Sequence, residues 1–183
     1  MSKKNEIIVE KTIIEETIIE ETMVDVFIEI SKGSNIKYEF DKVKNALVCD
    51  RFLHTPFRYI FNYGFIPNTL SQDSDPIDVV VITEESLISG CYIKCKIIGC
   101  LETADSEGND PKLIVCPINK IDPKSKVIND IDNLSNFVLE QIEYFFSHYK
   151  DLENKHVTIG NFVPKEKAIE IYKESILNYN NSK

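Results

Sequence analysis

Three carboxylates crowd into six positions, Asp73-Ser74-Asp75-Pro76-Ile77-Asp78, directly before the apolar run Val79–Thr83. Like charges at this spacing repel, so the segment must be exposed or neutralised, and hard divalent cations neutralise such clusters through oxygen ligands. A polar turn held by Asx-type hydrogen bonds and Pro76 is the other reading of the same residues. An EF-hand loop is excluded, because its fifth and sixth positions need an oxygen ligand and a glycine, where this chain has Ile77 and Asp78. Aspartyl-phosphate phosphatases also use a D-x-D pair, but theirs follows an apolar strand, and this one precedes it.

A second acidic pair, Asp105 and Asp110, brackets Ser106-Glu107-Gly108-Asn109 between two apolar runs. A hairpin holds both ends of its loop together, so the two carboxylates can face one ion. Taken alone, the pair is also a solvated acidic turn. Lys112 follows two residues on. Cations form a third set: Lys37, Arg51 in Cys49-Asp50-Arg51-Phe52, and Lys150 after Tyr149. Tyr63 lies in Asn62-Tyr63-Gly64-Phe65, which reads equally well as core packing and a turn. Carboxylate-held metals beside Lys, Arg and Tyr donors suit phosphoryl transfer, where charge spread over phosphate oxygens must be matched electrostatically. There is no Walker loop, HExxH, nucleophile elbow or glycine-rich dinucleotide loop.

These residues need elements to position them. Asp25–Ile30 and Ile36–Phe40 alternate apolar and polar residues around a turn-like Ser31–Asn35 containing Gly33, which predicts a hairpin. Alternation puts Glu29 on one strand face, and Lys37 with Glu39 on one face of the next. Further strand runs are predicted at Ala46–Val48, Val79–Thr83, Cys91–Leu101 and Leu113–Pro117, a pattern of a small barrel or sandwich. Helical spacing recurs at Leu134, Val138, Ile142, Phe145, Tyr149 and Leu152 behind Asp132 or Asn133 as cap. A second helix is predicted from Pro164 to about Leu177, burying Ala168, Ile169, Tyr172 and Ile176.

The 183 residues suit one domain, with 43% hydrophobic and 28% charged residues. Residues 1–24 differ from the rest: IIEET stands twice in tandem at 13–22, a period of five that fits neither helix nor strand. The domain division expected is therefore a low-complexity extension over 1–24 and a single domain over 25–183. A net charge of −9 argues against duplex nucleic acid, which needs a basic face. No apolar run approaches the ~20 residues that span a bilayer. Five cysteines, an odd number in mostly strand-like context, read as buried free thiols in a reducing compartment rather than a disulfide framework. With neither signal nor transit features at the N-terminus, the expected location is cytoplasmic.

At this point the motifs resemble the soluble family I inorganic pyrophosphatases of bacterial type. The signature D-small-D-P-x-D is Asp73–Asp78, and IEI…IKYE, DRF, NYGFIPNTL, the D-x4-D-x-K of Asp105, Asp110 and Lys112, and HYKDLE follow in family order over residues 25 to about 176. The resemblance implies a mainly β (α+β) fold, a five-stranded OB-like β-barrel with two C-terminal helices packed outside, and a homohexamer built as a dimer of trimers. It implies Mg-dependent hydrolysis of pyrophosphate to two phosphates by direct attack of a metal-activated water. Asp73, Asp78, Asp105 and Asp110 would hold metal, Glu29 would act through water, and Asp75 would be the general base. Lys37, Arg51, Tyr63, Lys112, Tyr149 and Lys150 match positions at the phosphates. The implied cofactor is Mg²⁺, about three to four ions in the substrate complex, with Mn²⁺ or Zn²⁺ tolerated and Ca²⁺ inhibitory through its looser coordination. The implied partner is Mg-pyrophosphate, with neither nucleic acid nor membrane. The likeness also places His148 near contacts between trimers. A non-catalytic OB-type binding module and a broader phosphoanhydride hydrolase are the competing classes.

Overall fold

The computed structural model describes residues 22–106, 108–153 and 155–183, so all of the IIEET repeat but its last residue, Thr22, lies outside the described residues. Five strands close into a barrel. β1 (Met23–Ile30) pairs with β4 (Asn62–Phe65), and β4 with β5 (Asp78–Val81). β5 lies parallel to β8 (Lys112–Pro117), which runs antiparallel to β6 (Tyr92–Asp105), and β6 returns antiparallel to β1. Closure removes the open edges that a sheet of this size would otherwise expose. The far end of β6 also pairs with β7 (Gly108–Asn109) and β9 (Thr158–Pro164). β2 (Ile36–Asp41) and β3 (Ala46–Phe52) form a separate two-stranded hairpin off the barrel. Two helices, α1 (Asn136–His148) and α2 (Lys165–Asn181), pack outside, which completes the mainly β, OB-like fold.

The apolar runs follow from burial on both sides of the barrel wall. Val79, Val81, Leu113 and Val115 join one core cluster with Ala168 of α2. Val80, Ile114 and Cys116 point the other way, into a cluster with Ile142, Phe145 and Phe146 of α1. Alternation survives only where one face meets water, as at the start of β1 and β6. Gly64 is required by backbone proximity: a Cβ there would stand 1.8 Å from the carbonyl oxygen of Phe27 on β1.

Several elements depart from the sequence pattern. The alternating runs 25–30 and 36–40 are not a hairpin with each other; β1 is a barrel strand between β4 and β6, and β2 pairs with β3 instead. Gly33 still takes the left-handed conformation, at φ 91°, in the turn that carries the chain off the barrel. The first helix is capped by Ser135, whose Oγ accepts the Val138 N–H, rather than by Asp132 or Asn133, which sit in a short 3-10 turn. Leu152 lies beyond that helix and is exposed. α2 continues four residues past Leu177, and Ser175, not Ile176, is its second fully buried residue. Tyr63 belongs to strand β4, and β4, β7 and β9 were not anticipated. All five thiols are free, but Cys49 is exposed rather than buried.

Candidate active site

One end of the barrel gathers the acidic residues. Asp78 opens β5 and Lys112 opens β8, and the parallel register sets them side by side. The Lys112 ammonium is ion-paired with both Asp78 and Asp110, and the Tyr63 hydroxyl donates to Asp78. Asp105 ends β6, and Asp110 lies just past β7, its N–H donating to the Thr103 carbonyl at 2.8 Å. Gly108, at φ 132°, supplies the backbone freedom that this tight return needs. Asp73 and Asp75 occupy the loop before β5. That loop is fixed by hydrogen bonds from the Ile77 N–H to Thr69 Oγ1, the Ser71 N–H to the Asp75 carbonyl, and the Asp75 N–H to Asp73 Oδ1. Asn109 Nδ2 donates to Gln72 Oε1 at 3.1 Å, joining the two acidic loops. Glu29 on β1 is 8% exposed and accepts the Phe40 N–H at 2.7 Å.

Cations stand around this acidic floor. Lys37 of β2 and Arg51 of β3 are register partners, so both side chains share a face of the hairpin. Lys37 pairs with Glu39 and lies 3.6 Å from Asp50; Arg51 pairs with Asp50 and, through Nε, with Glu153 Oε2 at 2.9 Å. At the C-terminus of α1, Tyr149 stacks on Phe145 with ring centroids 5.1 Å apart. Lys150 reaches to 3.6 Å from Asp105.

All twelve residues expected from the sequence line one cavity of about 350 Å³. Glu39, Lys42, Asp50, Tyr59 and Lys155 line it too and were not anticipated as site residues. Asp50 stands beside Arg51 in the DRF motif, so its signal was present; Lys42 sits in a turn and Lys155 in a loop, and only the fold fixes their placement. A larger cavity of about 470 Å³ lies behind, between α2 and the barrel, but it is lined by groups such as Leu70, Ile77, Ile171 and Ser175 and holds no comparable charge set.

Electrostatics at the site are strained in one direction. Burial, then the charge of Asp78, pushes the Glu29 carboxyl up to about 8. Asp110 is raised by burial and by Asp78 and Asp73, against the pull of Lys112. Asp73 is raised chiefly by burial, with Asp78 and Asp75 adding to it. Burial alone would discharge Lys112, but Asp78 and Asp110 outweigh it and keep the ammonium protonated. The Tyr63 and Tyr149 phenols are raised by burial and then by Asp78, so both stay neutral hydrogen-bond donors.

Carboxylates raised by one another's charge are a donor set suited to hard divalent cations, which would reverse the local sign. Asp73, Asp78, Asp105 and Asp110 are the oxygens available for direct ligation. Among the described residues no group of three such side chains is closed around a single point as it stands, since Lys112 spans Asp78 and Asp110.

A family model described as inorganic pyrophosphatase matches residues 26–180. An inorganic pyrophosphatase of Helicobacter pylori is 47% identical over 155 residues, covering 84% of this chain and 90% of its own. One from Nanoarchaeum equitans is 48% identical, covering 85% and 97%. The solved H. pylori inorganic pyrophosphatase superposes with a TM-score of 0.85 at 45% identity, over 87% of this chain and 95% of that one.

Proposed function

The chain belongs to the inorganic pyrophosphatase family and hydrolyses pyrophosphate to two phosphates; from that premise we propose how its residues divide the work. The observation that carries the reading is the convergence of twelve side chains, from seven strands, two loops and a helix end, on one cavity. Asp73, Asp78, Asp105 and Asp110 would hold Mg²⁺, with Glu29 contributing through water. When bound, the metal supplies Lewis-acid chemistry, offsetting pyrophosphate charge and lowering the pKa of a water from ~15.7 toward neutrality. Asp75, exposed between Asp73 and Asp78, accepts the proton of the attacking water. Lys37, Arg51 and Lys150 bind phosphate oxygens as fixed cations, while Tyr63 and Tyr149 offer neutral hydroxyls. Lys112, 4% exposed, sets the positions of Asp78 and Asp110 and adds a positive charge at the phosphates.

Residues 25–183 form the catalytic domain, a reading supported by the family match over 26–180. The location proposed is the cytoplasm; among the described residues no helix is long and apolar enough to cross a membrane. A homohexamer is supported by apolar surface on α1 and its neighbours, where Phe137 is 66% and Tyr144 59% exposed beside Phe57 and Ile60. His148, its ring tilted 51° against Tyr144 at 4.5 Å and its Nδ1 2.9 Å from Asp151, borders the same face.

Phosphate release from pyrophosphate tests the metal reading. Activity should require Mg²⁺, vanish with chelator, return on adding Mg²⁺ back, and fall when Ca²⁺ is substituted. Unchanged turnover in excess chelator would refute it.

A further inference from the structure

We propose that Glu153 is a positioning residue for Arg51, tying the off-barrel hairpin to the end of α1; this rests on Arg51 being a phosphate-binding cation. Among the described residues the hairpin β2–β3 has no strand pairing to the barrel, so tertiary contacts fix its cationic side chains. On the β2 side the tethers are the Phe40 N–H bond to Glu29 and the packing of Phe40 on Phe27, with ring centroids 5.2 Å apart. On the β3 side, Arg51 Nε meets Glu153 Oε2 at 2.9 Å, and the Glu153 side chain is only 5% exposed. A carboxylate that far from water persists where a paired cation compensates it.

The chain path explains why this pair can act as a strut. Glu153 closes the 3-10 turn Asp151–Glu153, its N–H donating to the Lys150 carbonyl at 2.8 Å. Thr55 Oγ1, just past β3, donates to the Tyr149 carbonyl at 3.3 Å. The Arg51–Glu153 pair therefore couples Arg51 to the segment that presents Tyr149 and Lys150. By taking Nε, Glu153 leaves the terminal nitrogens for other partners, of which Nη1 meets Asp50. Glu153 lies outside the set lining the cavity, and it acts through Arg51 rather than on substrate. Its second oxygen, Oε1, and Arg51 Nε itself are both buried with no hydrogen-bond partner among the described residues, so the pair is held by charge at 2.9 Å and Arg51 is the carboxylate's principal compensation.

Steady-state kinetics on the full chain with Mg-pyrophosphate test this. Glu153→Gln keeps the shape and removes the charge; KM should rise about tenfold as the broken ion pair frees Arg51, while kcat changes less than about twofold. Glu153→Asp, which keeps the charge, should recover part of the lost KM. In an Arg51→Ala background, Glu153→Gln should add less than about a twofold change, because the strut then has nothing to hold. Circular dichroism and the melting temperature report folding of each variant. An unchanged KM in Glu153→Gln with Arg51→Ala impaired overturns the strut alone, as do multiplicative effects in the double variant. Unchanged kinetics in Arg51→Ala overturn the assignment of Arg51, and the strut with it.

Discussion

The acidic floor and the cationic hairpin hold opposite charges by opposite means. Asp78 and Lys112 are first residues of barrel strands, locked by parallel register and backed by core on both sides of the wall. Lys37 and Arg51 sit on a hairpin that touches the barrel through side chains and one backbone-to-carboxylate bond. The comparison teaches that charges which repel need a frame too stiff to relax, whereas cations that must meet a substrate phosphate can stand on an element with some freedom. The floor's cost appears in its raised carboxyls, and the hairpin's in its dependence on a few tethers.

The largest expected effect comes from the loop on the floor side. Asp75→Asn should lower kcat by about 10²–10⁴-fold, the range for losing a general base, with the melting temperature preserved because Asp75 is exposed. Loss confined to KM would move Asp75 from the floor's role to the hairpin's. Stability should show the same contrast. Gly64→Ala forces a methyl against the Phe27 carbonyl and should remove about 3 kcal/mol or more, read as a shifted urea midpoint. Gly33→Ala, at the turn leading to the hairpin, meets no atom within 4 Å and bears only left-handed strain, about 1 kcal/mol. Equal costs would mean that the barrel wall yields as easily as the turn.

What the sequence made legible follows the same division. Every site residue on a short local motif was readable, because Asp73–Asp78 and the Asp105–Asp110 return carry their chemistry in spacing. The barrel was visible through apolar runs, but not its closure: β4 is only four residues long and contains Gly64, so it resembled a turn. The 25–40 region read as a hairpin because alternation records which faces are wet, not which strand pairs with which. Strand β9 escaped because Thr158–Pro164 is largely exposed and begins after a polar loop. Glu153 stands in the HYKDLE motif, but nothing local revealed its role, since its partner is about a hundred residues away in the chain.

Thiol reactivity probes the contrast without any substitution. Cys49 lies exposed on β3 of the hairpin, while Cys95, Cys100 and Cys116 are buried in barrel strands β6 and β8. Burial pushes the Cys100 thiol up to about 12 and the Cys116 thiol up to about 11, so at pH 8 the latter is roughly one-thousandth thiolate even before access is considered. An aromatic disulfide reagent, followed by mass spectrometry, should label Cys49 first in native buffer and half-buried Cys91 more slowly. The three barrel thiols should react at the rate of global unfolding, accelerating together in urea. If they labelled one at a time, at rates independent of urea, the wall would be opening locally, and the stiffness that holds its carboxylates together would have to come from the bound cations instead.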